Sequence, residues 1–270
     1  EMCIRDRLEG EIEYYIEFEE ETRDYDAGAE LVIINLKHHG RWFKCSKRYS
    51  IPKHVIDSIV ESLDEKRRQR LEERLRKSIG EQLSVGFAFK VDNEILVPVK
   101  DGLAFSLFPI ESTGLPFYLN ARFPTTSGRK NLKYDDPLMI WLIEKLDELA
   151  KYLPKLLHES GWLKPKSWAV FPRSNEGYGP FSRVAMSIVN ALRCSTFMPG
   201  DDGNLHRVDE VFLAHSDEVY SLINWEDLRE LTKKSNAVWV HQDARTGRAK
   251  HVLKDVGVIE IERDAAVSYT

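Results

Sequence analysis

The chain has little cysteine, no long apolar run and no surplus of basic charge, and each shortage removes a class of function. Its three cysteines among 270 residues are Cys3, Cys45 and Cys194. They show no C-x-x-C spacing, so neither a disulfide framework nor a zinc site is indicated. Cys45 and Cys194 are expected to be buried thiols in a reducing compartment. The eight histidines are scattered, without H-E-x-x-H or a pair that would share one helix face, and no metal is expected. A G-x-S-x-G elbow and the kinase motif set are also missing. No apolar run approaches the roughly 20 residues that span a bilayer, and no signal-peptide pattern opens the chain. A cytoplasmic protein without membrane contact is the expectation. The net charge of -5 argues against a general nucleic-acid surface while leaving room for a local basic patch.

What is present suits a folded core, with 42% hydrophobic and 31% charged residues, in one large domain or two smaller ones. Residues 1–7, "EMCIRDR", resemble the translation of a transposon-end sequencing adapter. They are expected to be a library scar outside the fold, with the natural protein extending upstream. Ile12, Tyr14, Ile16 and Phe18 alternate with polar neighbours, the period of a strand. Residues 31–36 and 41–47 read as a hairpin across His38, His39 and Gly40. Pro52 opens a helix whose stripe is Val55, Ile56, Ile59, Val60, Leu63, Leu71, Leu75 and Ile79. Residues 85–91, 95–99, 103–108 and 117–123 read as an antiparallel meander. Met139, Leu142, Ile143, Leu146, Ala150, Leu153 and Leu157 then carry a long helix, which Pro154 is expected to kink or end.

A second unit begins near Gly161. Its first helix should bury Phe181, Val184, Ala185, Ile188, Val189 and Leu192. Asn224 and Asp227 are spaced as a capping box, residues 237–240 are strand-like, Gly257 suits a helix C-terminus, and "VIEIE" is a last strand. The fold class expected is α+β, with residues 8–160 as one domain and 161–270 as a smaller α/β unit.

Four stretches offer chemistry. "PGDDGN" sets two carboxylates beside glycines but lacks the rest of a calcium loop, and reads as an ordinary turn. Residues 65–77 hold seven Lys or Arg against three Glu, interleaved at helical spacing. That pattern suits a solvated, internally paired helix, the alternative being a docking face for nucleic acid or a partner. "DAGAE", residues 26–30, is similar to the D-x-G-x-G box of GHKL ATPases, but Glu30 replaces the final glycine and no N-x-x-x-D helix precedes it. "PTTSGRKNL", residues 124–132, offers small hydroxyl residues, a glycine and a basic pair. Backbone N–H groups and a guanidinium suit a phosphate there, and taken alone the stretch also reads as a surface turn.

The sequence around that last stretch resembles the segment that follows the ATPase domain in sacsin-like proteins, relatives of the ninety-kilodalton heat-shock chaperones. The matching residues are Leu107 to Pro109, Thr113 to Phe117, Asn120 to Phe123, Thr126 to Leu132 and Asp135 to Leu142. "FMPGDDGNLHRVDEVFLA" and "LKDVGVIEI" are similar to later parts of those proteins, so the resemblance spans most of residues 41–262. It implies a ribosomal-S5-like middle domain over 8–160. It also implies that Arg129 is a catalytic arginine reaching the γ-phosphate of ATP, on a loop whose Thr126, Ser127, Gly128, Arg129 and Lys130 contact the nucleotide. Lys130 stands where an acidic residue is common in the family. ATP and Mg would be held mainly by an upstream ATPase domain of the same chain, leaving no cofactor to these residues alone. Client proteins are further implied partners. The alternative reading is a non-catalytic scaffold module that recruits protein or nucleic acid.

Overall fold

A computed structural model describes residues 16–19, 28–36, 40–106 and 108–262. The expected scar, Asp26 and Ala27 of "DAGAE", and the tail from 263 onward lie outside the described residues, as do Ile12 and Tyr14. Strands β1 (Ile16–Glu19), β2 (Ala29–Leu36) and β3 (Gly40–Ser50) run antiparallel, with Leu36 opposite Gly40 at the expected hairpin. On β3 the period of two separates Phe43 and Cys45, which are buried, from Trp42 and Lys44 on the opposite face.

The long stripe expected after Pro52 is two helices, not one. Helix α1 (Lys53–Ser62) ends where Leu63 turns extended, and α2 (Glu65–Lys77) starts afresh from Asp64, whose side chain accepts from the Arg67 N–H at 2.9 Å. The N-cap at Asp64 outweighs the continuing apolar spacing. None of the residues of α2 is buried. Its charges pair along the helix, Arg76 with Glu72 at 2.8 Å and Lys77 with Glu73 at 2.7 Å, while Arg76 also reaches Asp57 at 2.9 Å. A solvated, self-paired helix results.

Strands β4 (Gln82–Asp92), β5 (Ile95–Val97), β6 (Leu103–Phe105), β7 (Pro109–Ser112) and β8 (Tyr118–Asn120) complete the first sheet, in the order β1-β2-β3-β4-β8-β6-β7 with β5 on β4. This departs from a simple meander. The strand β7 was not expected, and β6 lies parallel to β8 because the chain turns out through β7 before returning. The return is close-fitting: a Cβ on Gly102 would stand 2.0 Å from the Phe117 carbonyl oxygen, so only glycine fits there.

Helix α3 (Pro137–Glu159) starts at Asp136, which accepts from the Leu138 N–H at 2.9 Å, with Pro137 in the first turn. Pro154 does not end it. An interior proline costs about 3 kcal/mol, but Leu153, Leu156 and Leu157 around it are all buried, and that packing offsets the lost hydrogen bond. A 3-10 helix (Pro165–Val170) leads to α4 (Phe181–Arg193), which buries the six residues its spacing marked. Asp147 on α3, only 3% exposed, accepts from Ser187 and pairs with Arg183 of α4 at 3.2 Å. Burial acts to raise its pKa, but Ser187, Lys151 and Arg183 outweigh it and hold the carboxyl below its ordinary value.

Beyond α4, β9 (Met198–Pro199) pairs with β10 (Leu205–His206) around the "PGDDGN" turn. Strand β11 (Val211–Ala214) is followed by α5 (Asp217–Leu222), α6 (Trp225–Thr232), β12 (Val238–Trp239), α7 (Gly247–Val256) and β13 (Ile259–Ile261). The three strands are parallel, in the order β12-β11-β13. The capping box of Asn224 and Asp227 forms at the start of α6, and Gly257 closes α7 at φ 113°. Val211, Leu213 and Val252 join the main core with the first sheet, α1, α3 and α4, while Phe212, Leu228 and Trp239 form a second apolar cluster. The fold is α+β with a mostly antiparallel main sheet. Cys45 is buried as expected, but Cys194 is exposed at the end of α4. Among the described residues no helix is long and apolar enough to cross a membrane.

Candidate functional site

The loop between β8 and α3 is built by the residues at its two legs. Phe123 and Leu132 are buried, Thr125 bridges Leu132, and the Lys133 N–H donates to the Pro124 carbonyl at 3.0 Å. Between the legs, the Thr126 N–H donates to the Asn131 carbonyl at 2.9 Å, and the Arg129 N–H to the Thr126 carbonyl at 2.8 Å. Thr126 is therefore half-buried at the turn's base, whereas Ser127, Gly128, Arg129 and Lys130 are exposed at its tip.

Two residues outside the loop hold it. Glu111 on β7 accepts from the Leu132 N–H at 2.9 Å and from the Tyr134 hydroxyl. Burial, then the Glu111 hydrogen bond, push the Tyr134 hydroxyl pKa upward. Phe108 lies under the Arg129 guanidinium, whose carbon is 5.7 Å from the ring centroid. Neither residue was given a role at the loop from the sequence, since Glu111 is 21 positions from Leu132 and β7 itself gave no clear strand signal.

Arg129 has φ 54°, the left-handed region, although glycine stands one residue earlier. A Cβ on Gly128 would meet nothing within 4 Å, so glycine is not needed there for space within the chain. Left-handed backbone costs a non-glycine residue roughly 1–2 kcal/mol. Arg129→Gly should therefore raise the unfolding free energy, by about 1 kcal/mol after glycine's larger unfolded-state entropy is deducted. The urea midpoint measures this, and a fall in midpoint would show that the side chain contributes more than its backbone costs.

Arg122, Arg129, Lys130 and Lys133 all stand on this segment and are exposed. Among the described residues none of the four makes an ion pair or side-chain hydrogen bond; the one contact of this kind is Arg129 over Phe108. The cations of α2 are largely matched by neighbouring carboxylates, whereas those of this loop face outward unmatched. Such a tip can receive an anion, with two adjacent cationic side chains at Arg129 and Lys130.

Other polar clusters are mostly paired within themselves, although Asp201 keeps a buried Oδ1 without a hydrogen-bond partner. His215, Glu260 and Glu262 bring ligand atoms within 4.8 Å of one another, but Glu260 already pairs with Lys250 and Lys254, both at 2.6 Å. In "PGDDGN", Asp202 pairs with His206 at 2.9 Å and Asp201 with Arg245 at 3.0 Å, which makes it a tied turn. Comparisons with family models, with curated proteins and with solved structures find no match to this chain.

Proposed function

We propose that these residues are the middle region of a sacsin-like, chaperone-related ATP-binding protein, with a ribosomal-S5-like first domain that presents Arg129 to the γ-phosphate of ATP. The nucleotide and its Mg would be held mainly by a GHKL-type ATPase domain preceding these residues in the same chain. The observation that carries the reading is Arg129 itself: an exposed, unpaired guanidinium kept in left-handed backbone at the tip of a loop pinned by Leu132 and Glu111. Costly backbone geometry at an exposed tip is a reason to look for a role for the side chain. The residues present fit one phosphoryl contact: Arg129 and Lys130 supply positive charge at an exposed tip.

In this reading Arg129 stabilises negative charge developing on the transferred phosphoryl group. Phe108 and Glu111 hold the loop ready, so little reorganisation is needed when the two domains close. Supplying the arginine from a second domain makes hydrolysis depend on that closure. Client proteins would act on the closed and open forms differently.

The test joins this chain to the ATPase domain and compares wild type with Arg129→Ala. Turnover should fall by roughly 10- to 1000-fold with ATP affinity nearly unchanged, the pattern of a group acting in the transition state. Equal turnover in the two proteins removes Arg129 from the mechanism. Arg129-dependent ATP hydrolysis by the 270 residues on their own would refute the need for the partner domain.

A further inference from the structure

The three parallel strands gather polar side chains at one end of their sheet. β11 is followed by β12 on one side, and the chain returns through α7 to β13 on the other. Residues of α5 and α6 pack with Phe212 and Ala214, and those of α7 with Val211 and Leu213, so the helices cover opposite faces. A parallel sheet whose order reverses about one strand in this way opens a crevice at the carboxyl ends of its strands, and such sheets hold their ligands there. At that end β11 runs into His215 and β13 into Glu262.

The register decides which groups meet. Ala214 stands opposite Ile261, and the His215 N–H donates to the Ile261 carbonyl at 3.0 Å. His215 and Glu262 are therefore the next pair, and the period of two sets Glu260 on the same face of β13 as Glu262. The His215 Nδ1 lies 3.4 Å from a Glu262 carboxylate oxygen, and one donor atom from each of the three residues lies within 4.8 Å of the other two. Bonds of about 2.1 Å to one tetrahedral ion hold neighbouring ligand atoms about 3.4 Å apart. His215 and Glu262 already have that separation. Glu260 takes one lysine on each oxygen, Lys250 and Lys254, both at 2.6 Å. Each carboxylate oxygen keeps a second lone pair for an ion, and the lysines fix the orientation of the carboxylate from behind.

We infer that His215, Glu260 and Glu262 bind one divalent transition-metal ion of the zinc type. The inference is independent of the role given to Arg129. An imidazole nitrogen beside two carboxylates suits zinc and its neighbours, whereas magnesium and calcium take oxygen ligands. Three protein ligands leave a fourth position to water. The histidines carry no metal spacing along the chain, and it is the parallel register of β11 and β13 that brings His215 beside the two carboxylates. The positive charges of Lys250 and Lys254 stand close to the ion, so binding is weaker than at a structural site with four protein ligands.

The test strips the full, untagged chain of metal with a chelator and titrates zinc into it against a chromogenic indicator. One ion per chain is expected, with a Kd on the order of 10 µM. Magnesium should bind at least about 10-fold more weakly. Cobalt(II) in place of zinc should show the visible absorption of a four-coordinate ion. His215→Ala and Glu262→Gln should each weaken zinc binding by at least about 10-fold. The two side chains are 58% and 67% exposed, so neither change should disturb the fold, and circular dichroism checks this. His206→Ala, at the pair with Asp202, and Cys194→Ser, at the exposed thiol, should leave binding unchanged. No saturable binding up to about 1 mM zinc, or binding unaffected by His215→Ala and Glu262→Gln, overturns the inference and leaves the cluster as surface ion pairs. Binding lost through His206→Ala or Cys194→Ser instead places the ion elsewhere and overturns it equally.

Discussion

Phe181→Ala is expected to lower the unfolding free energy by about 3–5 kcal/mol, the range for truncating a fully buried aromatic side chain. Phe181 is 0% exposed and is the first residue of α4. Its ring meets Phe123 edge-on at 6.3 Å and Tyr134 at 6.4 Å. Phe123 leads into the Arg129 loop and Tyr134 leads out of it, so one ring braces both legs. The cavity left by alanine could not fill easily, because Phe123 is tied into the sheet side and Tyr134 is held by Glu111. Phe181→Leu, which keeps much of the volume, should cost less than about half as much. Urea unfolding followed by circular dichroism measures both. Amide exchange adds a local readout: the Thr126 and Arg129 N–H groups should exchange faster in the alanine variant. A loss under 1 kcal/mol, with unchanged exchange, would mean that the loop is braced by other contacts.

Helix α4 was legible because its whole environment is written locally: one face is core, the other solvent, and the period of 3.6 separates them. The β2–β3 hairpin and the capping box of α6 were legible for the same reason, each being decided by residues a few positions apart. Where distant packing decides, local reasoning fell short, as at Pro154, where the helix does not end. Pro154 stays helical because Leu153, Leu156 and Leu157 are buried against elements far along the chain. Strand β7 carries Pro109 and Glu111, poor strand formers by propensity, and is held by pairing with β6 and by what Glu111 accepts from the loop. The break between α1 and α2 was written locally in Asp64 but hidden by apolar spacing that continues across it.

The candidate site divides in the same way. Arg129 and its neighbours stand together in "PTTSGRKNL", so their grouping needed no structure, only the stretch itself. That Arg129 rather than Gly128 takes the left-handed conformation follows from how the legs close, through the Thr125–Leu132 bridge and the Asn131 carbonyl. The row of rings on the main sheet, Trp42 against Tyr118 at 4.7 Å and Phe105 against Tyr118 at 5.1 Å, was beyond sequence reasoning. Trp42, Phe105 and Tyr118 come from three strands, and the parallel placement of β6 beside β8 that aligns them is a property of the sheet order. Charge shows the same limit. A net value of -5 describes the whole chain, while function depends on which cations are left unpaired.

Above pH 9 the protein should lose stability steeply, and Cys45→Ala should remove about 4 kcal/mol of that loss. Cys45 is fully buried on β3, between Leu31 of β2 and Phe87 of β4. Burial in this apolar setting pushes its thiol up to about 12, from a reference value of 9.0. The unfolded chain therefore releases this proton first as pH rises. The stabilising contribution is complete below pH 9 and declines by about 1.4 kcal/mol per unit until the folded thiol also ionises near 12. Burial also raises Tyr49, with Glu148, Tyr152 and Cys45 adding to it, and Tyr49 adds to the alkaline loss in both proteins. The difference between the wild-type and Cys45→Ala stability curves reports the thiol together with the smaller part that Cys45 adds to the Tyr49 shift. Any small cavity left by alanine shifts the variant curve by a constant and leaves its slope with pH untouched. The exposed Cys194 serves as the internal control, since it should react with a disulfide reagent at pH 8 while Cys45 stays protected until unfolding. Parallel curves from pH 9 to 12 would show that water reaches Cys45 in the folded state, and that the sheet face beneath α1 and α3 opens more readily than its packing implies.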